Sequence, residues 1–178
     1  MIPPITPGNN VYTGSGDDNV HISKAPGLLG ALGLYEVNIN GNVQFMTKQQ
    51  LENTNFHLGA GNDTLVVDSN VTADIHADGG KGNDVMIGGS GDDRFDGGSG
   101  NDRLIGRDGN DTLKGGGGDD YLRGDRGRDN LDGGGGTNTV LGDIADFTAE
   151  FVLRNPQMLG HLGTVSTVTN AEPRRYGG

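Results

Sequence analysis

The chain has 178 residues, of which 35 are glycine and only 31% are hydrophobic, too few apolar side chains for a conventional two-layer core. Cysteine is absent, which excludes disulfides and thiol chemistry. A formal net charge of −11 argues against nucleic-acid and anionic-membrane surfaces and for cations as partners.

The opening MIPPITPGNN has neither a basic n-region nor an apolar h-region, so residues 1–10 read as a disordered N-terminus with no cleavable signal. No later stretch is long enough to span a membrane. A nine-residue pattern begins at residues 13–21, TGSGDDNVH, with Gly14, Gly16, Asp18 and Val20 at positions 2, 4, 6 and 8. It returns at residues 58–66, LGAGNDTLV, through Gly59, Gly61, Asp63 and Leu65. Residues 11–66 therefore hold two repeats and an excursion between them.

The excursion is readable. In LYEVNINGNVQFMT, residues 34–47, two alternating runs flank Asn40-Gly41, the strongest short-range signal for a type I′ hairpin. Tyr35, Val37 and Ile39 share one face, opposite Val43 and Phe45. Thr47-Lys48-Gln49-Gln50 is a capping-box pattern that opens a short helix carrying Leu51, and Asn55–Leu58 leads as a strand into the second repeat. This lobe is expected to cap the first coil, since the open end of a coiled stack needs covering. Binding a partner protein is its alternative role. Residues 67–78, VDSNVTADIHAD, read as one wider coil edge with a strand at Val71–Ala77.

Residues 79–132 are six nonapeptides in succession: GGKGNDVMI, GGSGDDRFD, GGSGNDRLI, GRDGNDTLK, GGGGDDYLR and GDRGRDNLD. Gly recurs at positions 1 and 4, Asp at position 6 and an apolar residue at position 8, a fixed period that marks a repeat architecture. The last three residues of each unit are too few for a helix and suit a short strand. Met86, Phe95, Leu104, Leu113, Leu122 and Leu131 should then share one interior line, with Arg94, Arg103, Thr112 and Asn130 facing outward. The chain would coil with two nonapeptides per turn, residues 67–142 forming a roll. One buried side chain per nine residues cannot offset the backbone entropy of so many glycines. The stacked Asp84, Asp93, Asp102, Asp111, Asp120 and Asp129 also repel one another, so a cation must bind. Carboxylates together with glycine-loop carbonyls suit a hard ion taking six to eight oxygens, which describes calcium better than magnesium.

The pattern GGxGxDxUx resembles the RTX, or haemolysin-type, calcium-binding repeat of secreted bacterial proteins. The resemblance implies an all-β fold, a calcium-bound parallel β-roll with an N-terminal hairpin lobe and a C-terminal cap. It further implies that each ion lies between repeats i and i+2. The pairs would be Asp84 with Asp102, Asp93 with Asp111, Asp102 with Asp120, and Asp111 with Asp129. Asp63 would pair with Asp84, and Asp18 with Asp63 across the longer excursion. Loop carbonyls near Gly79, Gly82, Gly88, Gly91, Gly97, Gly100, Gly106, Gly109, Gly115, Gly118, Gly124 and Gly127 would complete the sites. About four or five ions are expected. Arg107 and Asp125 replace the second glycine, so the fourth and sixth loops are expected to be looser.

After Leu131 the repeat decays. GGGGTNTVL keeps its glycines and Val140 but carries Asn138 in place of Asp. Ile144, Phe147 and Phe151 then follow helical spacing up to Asn155-Pro156, so residues 143–178 read as a C-terminal cap, with a short helix, and a flexible tail. By resemblance this segment is also a candidate uncleaved export signal, although its Arg174-Arg175 ending departs from such signals. The family implies secretion from a bacterium, by type I export in the first place. The hairpin–helix–repeat order is loosely similar to modules in other large bacterial proteins, some of them type III effectors, which makes type III export the alternative.

No catalytic constellation is present in the sequence. His21, His57, His76 and His161 are scattered, and no HExxH, GxSxG, P-loop or dinucleotide fingerprint occurs. The sequence therefore reads as a non-enzymatic calcium-binding module, a secreted structural or interaction protein that folds on calcium after export. Self-association through the hairpin lobe or coil ends is a further possibility. The alternative is the non-catalytic portion of a larger secreted enzyme, toxin or effector.

Overall fold

A computed structural model describes residues 10–142. The expectations for a disordered start and for a C-terminal cap and helix fall on residues 1–9 and 143–178, outside that range.

Alternation of one inward side chain with two outward ones bends the repeats into a parallel β-roll, each coil giving one strand to each of two sheets. The first sheet runs β1 (Asn10–Tyr12), β5 (Asn55–Ala60), β7 (His76–Lys81), β9 (Arg94–Ser99), β11 (Thr112–Gly117) and β13 (Asn130–Asp132). The second runs β14 (Thr139–Leu141), β12 (Tyr121–Arg126), β10 (Arg103–Asp108), β8 (Val85–Ile87) and β6 (Thr64–Val67). It continues through β2 (Asn19–Lys24), β3 (Leu34–Ile39) and β4 (Asn42–Thr47). Leu104 lies beside Met86 and Leu122, and Leu113 beside Phe95 and Leu131, so two nonapeptides make one turn. Position 8 fills the space between the sheets. Met86, Phe95, Leu104, Leu113 and Leu122 are buried, and Leu131 and Val140 of the last coil are partly so.

Two details depart from the sequence reading. Strands such as Arg94–Ser99 and Arg103–Asp108 run six residues rather than three, because positive φ at position 2 returns the backbone to the ladder, as where Gly98 pairs with Gly80 and Gly116. The strand expected at Val71–Ala77 begins only at His76. Val71, Ala73 and Ile75 do alternate inward and are fully buried, but their backbone serves a loop: the Ser90 N–H donates to the Val71 carbonyl at 2.7 Å and the Arg94 N–H to the Ile75 carbonyl at 2.8 Å. Residues 70–78 are thus a degenerate nonapeptide, with Ala73 at position 4, Asp74 at 5, Ile75 at 6 and Ala77 at 8.

In the N-terminal lobe, Asn40 and Gly41 take φ of 52° and 83°, the left-handed pair that a type I′ turn requires. β3 pairs antiparallel with both β2 and β4, covering the β2 edge of the roll. Tyr35, Val37 and Ile39 are buried, while Val43 and Phe45 stand exposed beside Asn38 and Glu36. The capping box forms at α2 (Lys48–Glu52): the Gln50 N–H donates to Thr47 Oγ1, the Thr47 N–H donates back to Gln50 Oε1, and Leu51 is buried. A second helix, α1 (Gly27–Ala31), carries no cap and leaves Leu28 and Leu32 exposed. Its five residues contain no polar periodicity from which it could be read.

Candidate metal centre

Position 6 forms two columns, one along each edge of the roll. The first edge stacks Asp18, Asp63, Asp84, Asp102, Asp120 and Asn138; the second stacks Ile75, Asp93, Asp111 and Asp129. Each stacking step has the same geometry. The backbone N–H of one position-6 residue donates to Oδ1 of the next coil, as from Asp84 to Asp102, Asp102 to Asp120 and Asp93 to Asp111, all within 2.7–2.8 Å. Every neighbouring pair expected from the sequence is brought together in this way, including Asp63 with Asp84 and Asp18 with Asp63.

The other carboxylate oxygen is the informative one. Oδ2 of Asp18, Asp63, Asp84, Asp102, Asp111 and Asp120 is buried with no hydrogen-bond partner among the described residues. An unpartnered buried charge is costly unless something compensates it. The glycine at position 1 makes a cradle beside that oxygen. A Cβ on Gly79 would lie 2.4 Å from Asp84 Oδ2 and 2.7 Å from the Gly97 carbonyl oxygen. Gly97 stands likewise to Asp102 Oδ2 and the Gly115 carbonyl, and Gly115 to Asp120 Oδ2 and the Gly133 carbonyl. In the array repeats, glycine at position 1 therefore leaves room beside the carboxylate, whereas the two earlier repeats carry Thr13 and Leu58 there. At position 4 glycine is required for close coil stacking: a Cβ on Gly82, at φ 125°, would fall 1.6 Å from the Gly61 carbonyl oxygen.

Electrostatics agree. Burial pushes the carboxyls up, Asp84 to about 6, Asp93 to about 7 and Asp111 to about 8; Asp63, Asp102 and Asp120 move in the same direction for the same reason. Neighbouring aspartates add to the rise, while backbone N–H donors oppose it. Among the described residues no three carboxylate or imidazole side chains converge. Any ion here would combine carboxylates contributed one per coil with backbone carbonyls, and a hard, oxygen-seeking cation fits that donor set.

A second ladder was not foreseen from the sequence. Position 5 runs in the opposite sense: its side-chain oxygen accepts the N–H of position 5 in the next coil. Asn101 donates to Asn83 at 2.7 Å, Asp119 to Asn101 at 2.8 Å, Asn110 to Asp92 at 2.7 Å and Asp92 to Asp74 at 2.9 Å. The signal was present, since five of the six array repeats carry Asn or Asp there.

Arg107 and Asp125 do not loosen their loops. Both hold positive φ, 83° and 73°, and pair with one another in the ladder between β10 and β12. Asp125 is held by Arg123 at 2.9 Å, and Arg107 Nη1 donates to the Val67 and Gly88 carbonyls. Asn138 closes the first edge as a neutral residue, its Oδ1 accepting the Asp120 N–H at 2.7 Å. Among the described residues His21 meets Asp68, and His57 stacks on Tyr12 and approaches Asp78.

Residues 76–104 and 105–140 match the family model described as the RTX calcium-binding nonapeptide repeat (4 copies). No curated protein and no solved structure matches the chain. Residues 76–140 thus carry RTX calcium-binding repeats, and no helix among the described residues is long and apolar enough to cross a membrane.

Proposed function

We propose that this RTX repeat chain is a secreted bacterial structural or interaction protein whose roll is completed by calcium. The observation that carries the reading is the row of buried, unpartnered Asp Oδ2 atoms, of which those of Asp84, Asp102 and Asp120 each lie beside a glycine cradle and a carbonyl of the next coil. The holding residues are Asp63 with Asp84, Asp84 with Asp102, Asp102 with Asp120, Asp93 with Asp111, and Asp111 with Asp129, together with position-1 carbonyls such as that of Gly97. Asn40 of the hairpin turn already donates to Asp18 Oδ1 at 2.5 Å, which sets the Asp18–Asp63 interval apart and leaves about five sites.

When bound, calcium supplies the positive charge that the two carboxylates of an interval lack. The rest belongs to the chain. In a calcium-poor cytoplasm, carboxylate repulsion and glycine entropy keep the later repeats open, which favours passage through an export channel. Outside, at about 10⁻⁴–10⁻³ M calcium, the range of extracellular modules, the coils close. The resemblance to secreted repeat proteins and the acidic composition support this placement.

Calorimetric titration of EDTA-stripped protein, read alongside far-UV circular dichroism, tests the reading. Uptake of about five calcium ions with a gain of β signal, and neither with magnesium, is expected. A dichroism spectrum and amide protection unchanged between EDTA and calcium would overturn it.

A further inference from the structure

One interval of the roll lacks every feature that makes a cradle elsewhere. At the start of the second edge, between the coil of residues 67–75 and that of residues 88–93, position 6 of the lower coil is Ile75, not Asp. The residue that takes the place of a position-1 glycine is Val67, aligned with Gly88 because Val66 pairs with Ile87; it lies ahead of the 70–78 unit because this coil is longer than the others. Both side chains are fully buried, so apolar atoms stand where the intervals above have an aspartate and a glycine.

The oxygens that an ion would meet here, Asp93 Oδ1 and the carbonyls of Val67 and Gly88, are engaged by the protein. Asp93 Oδ1 accepts the Ile75 N–H at 2.8 Å; its Oδ2, which lies beside the Gly88 cradle and the Gly106 carbonyl of the interval above, accepts the Gly89 N–H at 2.9 Å. Gly89 alone among the position-2 residues of the array lies outside the left-handed region, which turns its N–H onto that oxygen. The two position-1 carbonyls, from Val67 and Gly88, both receive Arg107 Nη1, at 2.6 and 2.9 Å. Arg107 belongs to the coil above and reaches back along the edge from the position-2 site where the repeat otherwise favours glycine, at a backbone φ of 83°.

We propose that Arg107 is an internal cation that joins the roll across the one interval of the second edge that has no ion site. Its guanidinium holds the position-1 carbonyls of two successive coils together, the task that falls to a metal ion in the intervals above. The proposal rests on the calcium reading only for that analogy; the hold itself is independent of any ion. Arginine suits it because a planar guanidinium stays charged and presents several donors in a fixed fork.

The test is hydrogen–deuterium exchange of the full chain, in EDTA and in calcium, for wild type, Arg107→Met and Arg107→Lys. Methionine keeps the length and apolar stem but removes the charge and donors. It is expected to speed exchange of amides in residues 67–75 and 88–93 at least tenfold in EDTA. Lysine should restore part of the protection. Arg103→Met, an exposed arginine over Tyr121 on the same strand, is the control and should leave those segments unchanged. Calcium count is expected to be equal in wild type and Arg107→Met. Protection unchanged in Arg107→Met overturns the proposal, and so does the gain of one calcium by that variant, since the interval would then be an ordinary site. A wild-type calcium count of zero would sink the calcium reading alone and leave the exchange comparison decisive for Arg107.

Discussion

Two glycines of the array separate the room needed for an ion from the flexibility of the chain. Neither Gly97 nor Gly117 has a positive φ, so alanine is conformationally tolerated at both. A Cβ at Gly117 meets nothing within 4 Å. At Gly97 it would lie 2.4 Å from Asp102 Oδ2 and 2.7 Å from the Gly115 carbonyl oxygen, and the second is backbone that cannot rotate away. Overpacking of this kind costs about 1–3 kcal/mol. Reduced freedom of the unfolded chain returns about 0.4–1 kcal/mol. Loss of one site filled at 100-fold over its dissociation constant removes about 2.7 kcal/mol more. Gly97→Ala should therefore lose about 4 kcal/mol in calcium, about 8–16 °C in midpoint for a chain of this size, and bind one ion fewer. Gly117→Ala should stay within about 0.5 kcal/mol of wild type and keep the full count. Thermal unfolding by circular dichroism and calorimetric calcium titration measure both. Equal calcium counts in the two variants would refute the assignment of the cradle as the ion's place.

Acidity should substitute in part for calcium. Folded-state values near 6, 7 and 8 for Asp84, Asp93 and Asp111 lie above the ordinary carboxyl value near 3.9, so the ion-free roll binds more protons than the open chain. Its stability is then greatest below about pH 4 and is lost as pH rises through 6 to 8; dichroism in EDTA should show more β signal at pH 4 than at pH 8, and the opposite trend would contradict the sign. Calcium uptake at pH 7 should release protons, visible as a dependence of the titration heat on the buffer's ionisation enthalpy. Asn101→Ala removes the acceptor for the exposed Asp119 N–H and should cost about 0.5–1.5 kcal/mol while leaving the calcium count intact; a lost ion would show that position 5 serves the site rather than the loop.

Most of the roll was legible because one physical rule repeats. Inward Leu, Phe or Met every nine residues fixes two strands per turn, and the aligned aspartates follow from that register. The Asn40-Gly41 turn and the Thr47–Gln50 cap were legible for another reason, since each is a local motif needing no distant partner. What escaped depends on atoms brought together across coils. Residues 70–78 keep the inward alternation but lose the glycines and the Asp, so the pattern match failed although the coil forms. Arg107 departs from the repeat in one letter, and only the stacked backbone reveals the two carbonyls within its reach. The extra length of the strands comes from glycine at positive φ, which propensity alone would count against a strand.

The distribution of buried side chains divides the roll into unequal halves. Before Gly79, coils and lobe share a broad apolar cluster in which Ile22, Val37, Ile39, Met46, Leu51, Leu58, Val67 and Ile75 join the position-8 line. From Gly79 onward the cluster narrows to Met86, Phe95, Leu104, Leu113 and Leu122, with Leu131 and Val140 only partly buried. Each such side chain contributes about 1.5–3 kcal/mol, against about 1–2 kcal/mol of backbone entropy for every residue ordered, so only the first half can stand without ions. The lobe and the coils up to about residue 93 should therefore persist in EDTA as a folded end, with Arg107 tying the next coil to it. Later coils would add onto that end as calcium fills the intervals, one nearest-neighbour contact at a time. Hydrogen–deuterium exchange in EDTA should show slow amides in residues 19–67 and fast ones in residues 112–132, beyond the coil that Arg107 ties down, with the boundary moving toward the C-terminal end as calcium is raised. Uniform protection along the roll in EDTA, or closure of all coils at a single calcium concentration, would show instead that the roll folds as one unit.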